Sequence, residues 1–406
     1  MSLRQPPKAR NVLWAEDGGI FLQQSLEHGG ANAFAPYEGY LHVLPRIAAA
    51  LTAAITPPAA YALTMNLLSC LVVALIAGMV FHCAHQVEDR IYVRLASASI
   101  VILIGAGPLE TTGNFANLHW YLLFLAPWVL TTRAETKSGA VLLFVVGALT
   151  ATTEILAAIF VPMMLLRWRD RTYWPPRIGL ILGFACQFIA TITSPRSDNT
   201  SEPLSLESIV IGWFVNGAGV IVYGTGSQLG SVVANFGWIA LTAAFLPFLA
   251  AFVFILWKGV PRHRLMAIAM LSGSVIVWAA IQIVNPAPSF DYAEFSAGQW
   301  RQVFPSRYAV PTSMFVMGLV PIVLSVLPRP STAARGAVVA VFMTLQVATF
   351  FPSYTARLDG PSWQESVTQA AESCSSQVAG GTAALPIAPV GWFADELVIS
   401  CDKLLR

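Results

Sequence analysis

Charge is scarce in this 406-residue chain: Asp, Glu, Lys and Arg make up only 11% of it, against roughly 25% in soluble globular proteins. That scarcity excludes an ordinary water-soluble domain. The charges nearly cancel, leaving a formal net charge of +2, too little to hold a nucleic acid by its phosphates. The chain has no GxxxxGK[ST] loop, so ATP-driven transport is not expected of it. HExxH, metal-spaced histidine pairs and GxSxG are also missing. The first apolar run comes after about forty polar or mixed residues, so no cleavable signal peptide is expected.

What the chain has in abundance is apolar surface, 56% of its residues. Hydropathy predicts an all-α polytopic membrane protein with ten helices, at about 58–84, 93–108, 117–132, 140–152, 154–167, 178–194, 236–257, 265–284, 307–327 and 337–352. The segments on either side of Glu154 are short and read as a tight hairpin, with one interrupted segment as the alternative. The glycine-rich stretch 209–226, which carries Asn216, reads as a helix dipping into the bundle or lying in the interface, with a full span as the alternative. Three regions result: a first loop with interfacial helices (1–57), the bundle (58–352) and a small tail (353–406).

The loops HQVEDRIYVR, RAETKSG, RWRDRTYWPPR, KGVPRHR and RPSTAAR hold more than half of the 23 Lys and Arg but few of the 21 acidic residues. The positive-inside rule makes them cytoplasmic. The stretch WAEDGG, the turn LETTGNFANLHWY, the loop NPAPSFDYAEFSAGQWRQVFPSRY and the tail then face outward. Cys70, Cys83 and Cys186 fall in membrane segments. Cys374 and Cys401 lie in the outward tail, where an oxidising exterior favours a disulfide between them. The sequon Asn199-Thr200-Ser201 also falls outside, although such matches arise often by chance. This parity leaves residue 1 outside, so a preceding helix is expected upstream; translocation by the first hairpin, or a parity off by one, are the alternatives.

In WAEDGGIFLQQSLEHGG, Glu16 and Asp17 stand between a tryptophan and a glycine pair, ahead of two amphipathic stretches, 20–26 and 41–55. On residue types alone they begin a helix, favourably placed against its dipole. An aromatic residue and a carboxylate pair in a first outward loop, then an interfacial helix and a series of spans, resembles the GT-C superfamily of membrane glycosyltransferases. WAEDGGIFL and PYEGYLHVLPRIAAAL are also similar to a group of uncharacterised bacterial membrane proteins near that superfamily. The resemblance implies a GT-C-like bundle of about 10–12 transmembrane helices in a bacterial plasma membrane, with the site facing outward. It implies a polyprenyl-phosphate sugar as donor and a first-loop carboxylate as base.

Chemistry then orders the candidates. Asp17 is the first choice for the base that deprotonates an acceptor hydroxyl of a cell-envelope glycan or glycolipid, and Glu16 the second. Arg307 and Arg301, with Tyr308, are placed to meet a lipid phosphate; interfacial anchoring is the alternative for both arginines. Arg46 either snorkels to headgroups or contacts that phosphate. Asn117 and His119 are candidates for sugar contacts, as members of a polar turn with an aromatic belt. Asp291 and Glu294 read as loop solvation or second acidic groups, and Glu154 as a carboxylate needing a cavity or a turn. No cofactor is required, and a divalent ion near Glu16 and Asp17 is an option. Two other functions fit the topology: a transporter or flippase of a lipid-linked saccharide, and a ligase or acyl-group transferase with His42 or His119 as base.

Overall fold

A computed structural model describes residues 1–197, 201–327, 332–352, 354–376 and 380–405. Arg329 of the RPSTAAR loop, and Asn199 and Thr200 of the sequon, lie outside the described residues. The fold is nearly all helical. Among the described residues the only sheets are two antiparallel pairs, Pro36–Tyr37 with Tyr40–Leu41 and Thr382–Pro386 with Glu396–Ser400.

Among the described residues seven helices are long and apolar enough to cross a membrane: Pro58–Ala84, Ile91–Glu110, Arg171–Thr193, Leu206–Tyr223, Trp238–Lys258, Pro261–Val284 and Ala309–Val326. The other expected spans are shorter, for identifiable reasons. Leu118–Leu130 has 13 residues, all buried; at 1.5 Å per residue it extends about 20 Å. It forms the centre of the bundle and meets protein on every side, so nothing requires it to match the bilayer.

Lys137–Thr153 and Ile155–Leu165 form a hairpin that reverses at Glu154, whose carboxylate caps the second arm by accepting from Leu156 N at 2.7 Å. The second arm is a 3₁₀-helix of 11 residues. At about 2.0 Å per residue it reaches roughly 22 Å, which lets a short arm match a longer α-helical one. At the far end Ala134 N donates to Thr172 O at 2.8 Å, closing the hairpin.

The loops grouped by their Lys and Arg content do share one end of the bundle. His263 bonds the Val87 carbonyl at 3.2 Å, and Arg90 donates to Leu324 O at 3.2 Å. Trp174–Thr193 and Pro261–Val284 both start at this end with proline in the first turn, where a missing N–H costs nothing. At the opposite end the first loop, the tail and the 285–308 loop come together. Leu206–Tyr223 has both its termini at that second end. Ala293 N donates to Ser208 Oγ at 2.9 Å, and Tyr223 OH donates to Ala240 O at 2.8 Å. In between, a π-helical turn, Val215–Gly219, presses Gly217 against Thr312 and Val316. Both of its ends therefore lie toward the second end of the bundle, although the helix is long enough to cross.

The N-terminal segment is anchored rather than free. Arg4, 1% exposed, donates to the carbonyls of Ile102, Ile104, Thr349 and Phe350, satisfying acceptors that two helix ends leave open. Val43–Ile55 follows as an apolar helix that leaves Ile47, Leu51 and Ile55 exposed at four-residue spacing, a stripe suited to a bilayer surface. In the tail, Trp363–Ser375 is helical and Cys374 is bonded to Cys401, while Cys70, Cys83 and Cys186 are free thiols.

The glycine pair of WAEDGG has a packing role. The tail docks on the first loop through a bridge between Trp14 and Ala388, with Ala388 N donating to Leu13 O at 3.0 Å. A Cβ on Gly19 would lie 2.1 Å from the Ala394 carbonyl oxygen, so no side chain fits there. Gly19→Ala is expected to lower the melting temperature and expose the tail to protease, at a cost of about 1–3 kcal/mol for the forced backbone shift. Limited proteolysis of the purified variant checks this.

Candidate functional site

A cavity of about 570 Å³ opens at the end of the bundle away from the basic loops. Its lining brings together Glu16, Asn117, His119, Arg307 and Tyr308 from the sequence candidates. Arg307 Nη1 stands 3.5 Å from Glu16 Oε1 and 3.5 Å from Glu110 Oε1. These are ion pairs too long to be good hydrogen bonds, so the guanidinium is shared between two carboxylates and locked to neither. Burial works against its charge, but Glu110, Tyr308 and Glu16 outweigh it and hold Arg307 protonated well above the usual range. Glu16 Oε2 is buried with no hydrogen-bond partner among the described residues.

Asp17 points elsewhere. It is 2% exposed, and its oxygens accept from Phe115 N and Ala116 N at 2.7 Å each. Burial pushes its carboxyl up to about 7, against the pull of Arg357 and the two amides. Of the two carboxylates, Glu16 is therefore the one on the cavity wall, and Asp17 pins the Phe115–Ala116 turn from inside. Ala15 makes the difference, with φ of 42° ahead of a π-helical turn over Asp17–Leu22. This is a conformation that L-residues adopt at a cost of about 1–2 kcal/mol, and it turns adjacent side chains to different faces.

Two other candidates are not on the cavity. Arg46 is 1% exposed and donates to Gln24 Oε1 at 2.6 Å, with its guanidinium 5.3 Å from the Phe21 ring. It ties the first loop together and does not snorkel. Arg301 is exposed on the short helix Ala297–Arg301 and faces away from the lining. Asp291 accepts a hydrogen bond from Ser208 Oγ and fixes the start of the helix Leu206–Tyr223.

The deeper wall holds a buried pair, with His119 Nδ1 bonded to Glu154. The His119 ring packs on Trp120 at 3.8 Å, and Trp120 Nε1 donates to Asn117 Oδ1 at 3.1 Å. Asn117 Nδ2 remains without a partner among the described residues. His42 lies 6.2 Å from His119 between ring centroids and is 5% exposed, with neither nitrogen partnered. Burial first, then His119 and Arg46, push it well below the usual histidine range, so it is a neutral imidazole facing the cavity.

Several lining residues escaped sequence reasoning. Glu38 N-terminal to Gly39 forms a two-residue hairpin turn with both φ angles positive, 51° and 82°. It presents Tyr37 and Tyr40 to the cavity. The string YEGY carried that signal, an X-Gly pair between aromatics. Arg196 Nη2 donates to Asn285 Oδ1 at 3.1 Å, and Asn285 Nδ2 to Tyr308 OH at 3.1 Å. With Arg196 Nε 3.8 Å from Glu38, these form a polar ladder. Trp392 and Phe393 of the tail complete the lining. Among the described residues no three His, Cys, Asp or Glu side chains converge as a metal site. Comparisons with protein-family models, curated proteins and solved structures found no match to this chain.

Proposed function

We propose that this chain is a membrane glycosyltransferase of the GT-C type, moving a sugar from a polyprenyl-phosphate donor to a hydroxyl of a cell-envelope glycan or glycolipid. The site would face outward from a bacterial plasma membrane, with the short helices completing a bundle of about ten spans. The observation that carries the reading is Arg307 shared between Glu16 and Glu110 on the wall of a cavity whose other side is apolar, with Ile155, Leu156, Ile281 and Val284.

Such a wall suits a lipid chain. The donor phosphate would draw Arg307 to itself, where the charge-assisted bond is strongest, and release Glu16. Glu16 then accepts the proton of the acceptor hydroxyl as its oxygen attacks the anomeric carbon, and the carbon–phosphate oxygen bond breaks to leave a lipid phosphate held by Arg307. The test is conversion of synthetic prenyl-phosphate sugars by the purified full chain, beside its Glu16→Gln variant. A wild-type protein that neither binds nor consumes any of them would sink the reading.

A second reading rests on the His119–Glu154 pair. A carboxylate fixing Nδ1 leaves Nε2 as a positioned base, which suits a ligase or acyl-group transferase. On that reading His119→Gln abolishes turnover while Glu16→Gln leaves it intact; the glycosyltransferase reading expects the reverse, with His119→Gln raising KM several-fold. Steady-state kinetics of the two variants decide between them.

A further inference from the structure

The aromatic tip of the tail is tied to the first loop. It belongs to the turn between Thr382–Pro386 and Glu396–Ser400, and it is held at several points. Ala388 bridges to Trp14, Gly391 N donates to Asp395 Oδ2 at 2.7 Å, and the Ala394 carbonyl sits against Gly19. The Cys374–Cys401 bond ties the end of the second strand to the helix Trp363–Ser375. A turn fixed in this way presents two rings. Trp392 packs against the small cluster of Val12, Trp14, Ala15 and Ala388, and Phe393 lies 4.3 Å from it, centroid to centroid. Phe393 is nevertheless 73% exposed, so its face is open to a ligand.

The kind of ligand is indicated by the cavity that both rings line. The same cavity carries the ladder of Glu38, Arg196, Asn285 and Tyr308, alternating acceptors and donors. Glu16, with one oxygen unpartnered, is also on its wall. Flat apolar rings together with directional hydrogen-bonding groups match a saccharide, whose ring offers a C–H face and a rim of hydroxyls. A bilayer surface would use the rings but leave the polar ladder without a ligand.

We propose that Trp392 and Phe393 form the acceptor-saccharide subsite of this cavity, a preformed stacking platform for a sugar ring whose hydroxyls bond the Glu38–Arg196–Asn285 ladder. Preorganisation removes much of the ordering cost of binding, which explains why a short tail is stapled so firmly to the first loop. The inference deepens the glycosyltransferase reading and rests on it for the word acceptor, while the saccharide site itself is testable separately.

The experiment uses the full chain in nanodiscs with methyl glycosides of glucose, mannose, galactose and arabinofuranose at millimolar concentration, read by saturation-transfer difference NMR. At least one glycoside is expected to receive saturation on its ring protons, with affinity reduced at least tenfold in Trp392→Ala and in Phe393→Ala and unchanged in Val390→Ala. Retention of the disulfide and of the melting temperature shows that the variants are folded. Prenyl-phosphate sugar consumption is followed in parallel. The acceptor KM of Trp392→Ala should rise at least tenfold. Absence of glycoside binding by the wild type, or binding by both ring variants as tight as that of the wild type, would overturn the subsite. Wild-type protein that binds a glycoside through Trp392 yet never consumes a prenyl-phosphate sugar would leave the subsite standing and remove the enzymatic reading instead.

Discussion

Glu16→Gln is expected to lower sugar transfer by about 10²–10⁴-fold, the usual contribution of a positioned general base, while leaving the melting temperature within about a degree of the wild type. The substitution keeps the shape of the side chain and removes its basicity. Its effect on stability is small because the Glu16–Arg307 contact, at 3.5 Å, is too long for a good hydrogen bond. Arg307 also keeps Glu110 as a partner. The loss should therefore appear in turnover and leave donor binding little changed, since the guanidinium that meets the phosphate is still in place. Transfer at the wild-type rate by a folded Glu16→Gln protein would remove Glu16 from the chemistry.

The architecture and the outline of the site were legible at different depths. Long apolar runs such as 58–84 announce themselves, because a helix that must satisfy its own backbone in lipid has few other sequences available. Leu118–Leu130 reads as a span for the same reason, but all of its 13 residues are buried in protein; hydropathy cannot tell protein from lipid as apolar surroundings. The Cys374–Cys401 bond was readable because the other three cysteines fall in apolar segments. The glycine pair was not, since the carbonyl that excludes a side chain at Gly19 belongs to Ala394, near the other end of the chain. That Glu16 and not Asp17 faces the cavity was illegible for a local reason. One positive φ at Ala15 and one π-helical turn decide which carboxylate faces the cavity, and no periodicity records either. Glu154 was recognisable as a costly buried charge, but its partner His119 lies on another helix and had to be found in space.

Asp17→Ala should have the largest effect on stability, and its pH dependence separates a structural carboxylate from a catalytic one. The variant leaves the Phe115 and Ala116 amides without their acceptor, at about 1–3 kcal/mol for each buried donor. A total loss of about 2–4 kcal/mol is expected, read as a lower melting temperature in detergent. In the unfolded chain this carboxyl titrates near 4, whereas burial holds it at about 7 in the folded protein. Between those values the folded protein binds a proton that the unfolded chain has released, so the contribution of Asp17 is full below about pH 4 and is lost as pH rises through about 7. Wild-type stability should accordingly decline between pH 5 and 8 more steeply than that of Asp17→Asn, which has no proton to lose. The Arg357 guanidinium, itself lowered by burial and held up by Asp17, makes the decline shallower than an isolated buried acid would show. If Asp17→Ala instead melts like the wild type and has no transferase activity, Asp17 is the base after all. Its two backbone hydrogen bonds would then have to open during turnover, and Glu16 would be left to hold Arg307 in position.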